Sequence, residues 1–217
     1  MKRTAHTLPP DVLCAYAAGR VDPALGLLIE TQMQLDDATA EQVSKYEGLG
    51  GALLESEAPA SMSESALSSV LAMLDQGPKD PAHPIAANDD DLDAFPEPLR
   101  TAARRAFANG GWRFAGPGLR TISLPTSGEA KVDLLRIQPG FGAPRHTHEG
   151  AEITLVVRGA FSDETGRYGP GDVSIASQAV THRPIAEEGE TCYALSVTDA
   201  PLAFTGALGW LQRAVRT

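Results

Sequence analysis

Cysteine is nearly absent from this chain: Cys14 and Cys192 are the only two in 217 residues, and they lie too far apart to form a metal-type or redox-type pair. Both are expected to act as small buried hydrophobes in a reducing compartment. Long apolar runs are missing as well, since no stretch approaches the about 20 consecutive apolar residues of a membrane-spanning helix. The opening MKRTAHTLPP carries basic residues without a hydrophobic segment or a small-residue cleavage site, so no membrane association is expected and the cytoplasm is the expected compartment. Basic residues are scarce in one part of the chain. Residues 1–94 hold 5 Lys+Arg against 16 Asp+Glu, a net of −11, whereas residues 95–217 hold 13 against 12, for a total of −10. An acidic segment of this kind repels nucleic acid and suits a basic protein surface, and no direct nucleic-acid binding is expected.

What is present divides by periodicity. In PPDVLCAYAAG, Pro9 and Pro10 suit a helix start and Gly19 a stop, with Val12, Leu13, Tyr16 and Ala17 on one face. Asp22 and Pro23 open a second helix carrying Leu25, Leu28, Ile29 and Met33 at helical spacing. After a break near Asp36 and Asp37, Val43, Tyr46 and the stretch Leu49 to Leu54 continue the pattern. SMSE at 61–64 has capping-box spacing ahead of Leu67, Val70, Leu71 and Leu74. None of these short helices stands alone, so a small bundle or docking on a partner is implied.

From Gln76 to about Asp93 the periodicity stops in a stretch rich in proline, small and acidic residues, read as a linker with His83 as a solvated member. PEPLRTAARRAFANGG then suggests a helix with Leu99, Ala103, Ala106 and Phe107 inward. Beyond it come short strands between Gly and Pro turns: GLRTISL, KVDLLRIQ, EITLVVRGAF, GDVSIAS, TCYALSVTD and LAFTG. Trp112 and Trp210 are expected as packing residues of this part. The expected fold is α+β: a helical domain over 1–77, a linker over 78–94 and an antiparallel β-barrel over 95–217.

The chemistry concentrates in HTHEGAEITLVVRG at 146–159. His146 and His148, two residues apart on a strand, face one way; the turn around Gly150 brings Glu152 opposite them, and His182 follows the PGD turn at 170–172. Three imidazoles and one carboxylate suit a divalent transition metal, with Zn, Mn, Fe, Co and Ni all compatible. From Gly140 the spacing is G-x5-H-x-H-x3-E-x6-G, through Gly159. This resembles the first motif of the cupins, small β-barrels with a metal inside; YGPGD with His182 stands for the second, with RPIA where an asparagine would follow. The resemblance implies His146, His148, Glu152 and His182 as ligands of one metal, zinc first among the candidates, with Glu152 as the anionic donor.

CAYAAGRVDPALGLLIE, then a linker, then HTHEGAEITLVVRGAFSDETGRYGPGDVSIA and TDAPLAF together resemble the ChrR-type zinc-binding anti-sigma factors over nearly the whole chain. The resemblance implies a transcriptional regulator whose helical domain, residues 1–77, binds and blocks a group IV (extracytoplasmic-function) sigma factor. Its cupin would be the sensory module for oxidative stress. Members of that family hold a second zinc through an upstream histidine and a His-x3-Cys-x2-Cys stretch. Here TQMQLDDAT places Gln32, Asp36 and Thr39 at those positions, with His6 upstream, so no zinc is expected in the helical part. His6 is then expected as a capping or surface residue. The alternative function is a metal-dependent cupin enzyme of dioxygenase or isomerase type, for which no catalytic residue is assigned. A homodimer stays open.

Overall fold

The computed structural model describes residues 6–75, 90–199 and 202–204; Trp210 and His83 lie outside them. The helical part holds α1 (Pro10–Ala17), α2 (Pro23–Met33), α3 (Asp37–Ser56) and α4 (Ala66–Asp75). Their starts follow the sequence signals. Pro10 opens α1, Asp22 caps α2 by accepting from the Ala24 amide, and Asp36 caps α3 by accepting from the Thr39 amide. Gly19, at φ 67°, ends the first helix in the left-handed region. Helix α4 begins only at Ala66, after the SMSE stretch.

Two further helices precede the sheet: α5 (Asp90–Asp93) and α6 (Glu97–Ala108). The acidic stretch read as linker thus ends in an ordered turn, where Leu92 is fully buried. Asp91 accepts from the Tyr193 hydroxyl and fixes this turn to the sheet. In α6, Leu99, Ala103 and Ala106 are buried as their spacing predicts.

The strands are β1 (Arg113–Gly116), β2 (Leu119–Leu124), β3 (Lys131–Ile137), β4 (His146–His148), β5 (Glu152–Arg158), β6 (Phe161–Ser162), β7 (Arg167–Tyr168), β8 (Val173–Ala176), β9 (Ile185–Ala186), β10 (Cys192–Thr198) and β11 (Leu202–Phe204). All pairings are antiparallel. The hydrogen bonds do not close a barrel as expected. They form one six-stranded sheet, ordered β1-β2-β3-β10-β5-β8, a β11-β4 pair and a β7-β6-β9 sheet. Strands two or three residues long carry too few ladder bonds to seam the sheets together.

The two faces of the large sheet differ, because side chains alternate along each strand. One face presents Ile122, Leu124, Val132, Leu134, Leu155, Tyr193, Leu195 and Val197, which share a single core with Leu13, Leu28, Ile29 and Leu99 of the helices. Trp112 packs at its margin beside Tyr193, with ring centroids 6.1 Å apart. Asp22 adds a polar tie, accepting also from the Glu129 amide at 3.1 Å. Gly128 is required beside it, since a Cβ there would meet the Asp22 carboxylate at 2.2 Å.

The other face holds the site. Across five paired strands, Ser123, Asp133, Ser196, Thr154 and Ser174 form one polar row. This face lines a cavity of about 560 Å³ that reaches His146, Glu152 and His182 at one side and Leu119, Ile137 and Phe161 at the other.

Candidate metal centre

The fold brings His146, His148, Glu152 and His182 together. Each offers one ligand atom, these atoms lie within 4.8 Å of one another, and all four residues are buried. It is the one such group of three or more His, Cys, Asp or Glu among the described residues. His146 and His148 are the ends of β4, so the period of two points both rings inward. Glu152 is the first residue of β5. His182, 34 positions beyond His148 in the sequence, is held by a two-way backbone bridge to His146: each amide donates to the other's carbonyl, at 3.1 and 3.0 Å.

Burial sets the protonation. It holds the imidazoles of His146 and His148 below the usual histidine pKa, outweighing the nearby Glu152 carboxylate, which acts the other way. Both rings are therefore neutral near pH 7, as a ligand must be. The tautomers of two rings are fixed from behind. His146 Nδ1 lies 2.7 Å from the Pro144 carbonyl, and His182 Nδ1 lies 2.9 Å from Asp163 Oδ2. Both partners only accept, so each Nδ1 donates a proton there and each Nε2 is the nitrogen turned to the cluster. His148 Nε2 lies 3.0 Å from His182 Nε2, while its buried Nδ1 has no partner. Glu152 is oriented by Ser196, whose hydroxyl donates to Oε1 at 2.7 Å; Oε2 lies 3.4 Å from His148 Nε2. Three imidazole nitrogens, two of their rings held from behind, and one carboxylate oxygen fit a borderline divalent ion.

Asp163 and Ser196 are absent from the sequence reading. The Asp163 side chain has no exposure. Burial pushes its pKa up, but hydrogen bonds from Thr165, His182 and Gly166 together hold it below the ordinary aspartate value. The local signal was the run Asp163-Glu-Thr165-Gly166, an aspartate folding back on the amides two and three residues on. Nothing in that run points to His182.

The side chains at the second, helical position do not fit a zinc. Asp36 is engaged with the Thr39 amide and hydroxyl. Gln32, fully buried, donates to the Gly171 carbonyl at 3.1 Å. The His6 ring lies against Tyr168, with centroids 4.6 Å apart, so His6 is a packing residue rather than a cap. The cysteines part from each other: Cys192 is buried as expected, and burial pushes its thiol up to about 12, but Cys14 is exposed. The thiol of Cys192 is thus inert at neutral pH.

Comparison with known proteins extends this picture. A family model described as the ChrR cupin-like domain matches residues 103–200, which include all four clustered residues. The anti-sigma-E factor ChrR of Cereibacter sphaeroides is 41% identical over 203 residues, covering 94% of this chain and 93% of that protein. Among solved structures, the crystal structure of Rhodobacter sphaeroides SigE in complex with the anti-sigma ChrR aligns with a TM-score of 0.74 at 39% identity. The match covers 89% of this chain and 98% of the matched one. Identity at this level over nearly the whole length, together with the shared fold, places this chain in the ChrR family.

Proposed function

We propose that this protein is an anti-sigma factor whose residues 1–77 bind a group IV sigma factor, while a cupin over residues 95–217 holds one divalent metal, zinc in the first place. Residues 78–94 link the two parts, and the protein works in the cytoplasm, where its partner meets RNA polymerase. The observation that carries the reading is an apolar surface with no partner among the described residues. Every large apolar side chain of α4, namely Leu67, Val70, Leu71, Met73 and Leu74, is between 51% and 71% exposed, and α4 buries no residue. Leu49, Leu53 and Leu54 in the last two turns of α3 are exposed as well. Burying each such side chain is worth about 2 kcal/mol, and a ten-residue helix is marginal by itself. Helices of this kind form against a partner surface. The acidity of residues 1–94 suits a basic partner, and the related ChrR is seen in complex with the sigma factor SigE.

In the cupin, His146, His148, Glu152 and His182 would hold the metal, which supplies a Lewis-acidic centre at the wall of the cavity. Ser196, Asp163 and the Pro144 carbonyl orient the donors. The cavity is the observation on the side of the second reading, a metal-dependent enzyme, and in the first reading the same cavity admits the oxidative signal. The test is to co-express the chain with each group IV sigma factor of its own genome. Expected with one of them are a complex that survives purification, inhibition of transcription from that sigma factor's promoter, and about one transition metal per chain. Sigma factors that neither copurify nor lose activity at micromolar chain refute the anti-sigma assignment.

A further inference from the structure

Between the candidate metal centre and the helices runs a chain of contacts whose direction the chemistry imposes. Asp163 is a carboxylate and only accepts: Oδ2 takes the proton of His182 Nδ1, and Oδ1 takes the Thr165 hydroxyl at 2.5 Å. Having donated there, Thr165 Oγ1 can only accept from the Tyr168 hydroxyl, 2.8 Å away. Oδ1 also takes the amides of Thr165 and Gly166 at 2.8 and 3.1 Å, so the turn is fastened to the carboxylate as one piece.

The far end of this turn touches the helical part twice. The Tyr168 ring is held between Phe161, 4.9 Å away, and His6, 4.6 Å away. Five residues on, the Val173 amide, the first of β8, donates to the His6 carbonyl at 2.7 Å. Between them, Gly171 accepts from Gln32 of α2, and a Cβ at Gly171 would lie 3.2 Å from the Leu35 carbonyl. Gln32 is fully buried, and among the described residues its Oε1 has no hydrogen-bond partner. His6 precedes α1, and Gln32 lies in the last turn of α2, which α3 follows.

We propose that residues 163–173 are a relay that transmits the state of the cupin metal centre to the helical part, through the ordered chain His182, Asp163, Thr165 and Tyr168 and the seats of His6 and Gln32. The inference rests on the reading that the four clustered residues hold a metal. A metal held by His182 would load one end of this contiguous chain of hydrogen bonds and ring contacts, whose other end bears on the seats of the helices on the sheet.

Amide hydrogen exchange by mass spectrometry on the full chain, saturated with zinc and after chelation, tests this. In the natural sequence, metal removal is expected to speed exchange both in peptides over 146–186 and in peptides over 6–35. Thr165→Val with Tyr168→Phe removes the hydroxyl chain at nearly constant volume. With saturating zinc it is expected to keep the response over 146–186 and lose the one over 6–35, whereas Thr165→Ser, which retains the hydroxyl, behaves like the natural chain. A double variant that keeps the full response over 6–35 overturns the relay, as does a Thr165→Ser variant that loses it. So does a natural chain that responds over 146–186 alone. Zinc that changes neither region refutes the metal reading itself, and the relay with it.

Discussion

At the scale of single residues, the candidate centre is defined as much by what stands behind the donors as by the donors. Asp163 fixes the tautomer of His182, and such partners contribute strongly to metal affinity. Asp163→Asn is expected to weaken zinc binding by roughly 10- to 100-fold in competition with a chromophoric chelator; unchanged affinity would show that Asp163 serves only the turn. The buried imidazoles give a second expectation. In the metal-free chain His146 and His148 have folded pKa values depressed by burial, so between the unfolded value, about 6.5, and those lower values the unfolded state binds more protons. Stability is fully present above about pH 6.5 and falls as the pH drops below it, which urea titrations at pH 7.5 and 5.5 measure. A metal-free chain equally stable at both contradicts the buried neutral rings. Third, the exposed Cys14 and the buried Cys192 predict that iodoacetamide at pH 8 labels only Cys14 in the folded chain, read by peptide mass. The four clustered residues were legible because a fixed local spacing places three of them, and the PGD turn flags the fourth. Asp163 and Ser196 were not, since their roles depend on partners 19 and 44 positions away.

At the scale of elements, local signals gave the helix starts and the longer strands, because caps and periodicity act within a few residues. The two-residue strands β7 and β9 carry no period to read; tertiary pairing with β6 creates them. Closure is illegible for the same reason, as short strands are tied to neighbouring loops by single bridges such as Ile185 of β9 with Gly142. Helix α3 raises a separate point. It holds Gly48, Gly50 and Gly51 in its exposed half, where a Cβ at any of them would meet nothing within 4 Å. Each glycine costs a helix about 1 kcal/mol relative to alanine. Gly48→Ala with Gly51→Ala is therefore expected to raise helicity by circular dichroism and slow amide exchange over 48–56. No gain in either would mean that these positions are not helical in the free chain.

At the scale of the whole molecule, the acidity of residues 1–94 and the apolar stripe of α4 were both plain in the sequence, but whether that stripe faces a bundle or a partner was not. In the structure α2 and α6 pack on the outer face of the large sheet, and among the described residues nothing covers α4. Residues that bury nothing within the chain can be changed at little cost to its stability. That property isolates the partner surface from the fold. The most direct test is the affinity of the group IV sigma factor for the natural chain and for a Leu67→Asp, Leu71→Asp variant, measured by calorimetry alongside thermal unfolding of each chain alone. Expected is an unchanged melting temperature with binding weakened by at least about 100-fold, from the loss of two apolar anchors. A variant that binds as tightly as the natural chain, at the same melting temperature, would contradict the assignment of α4 as the sigma-binding surface.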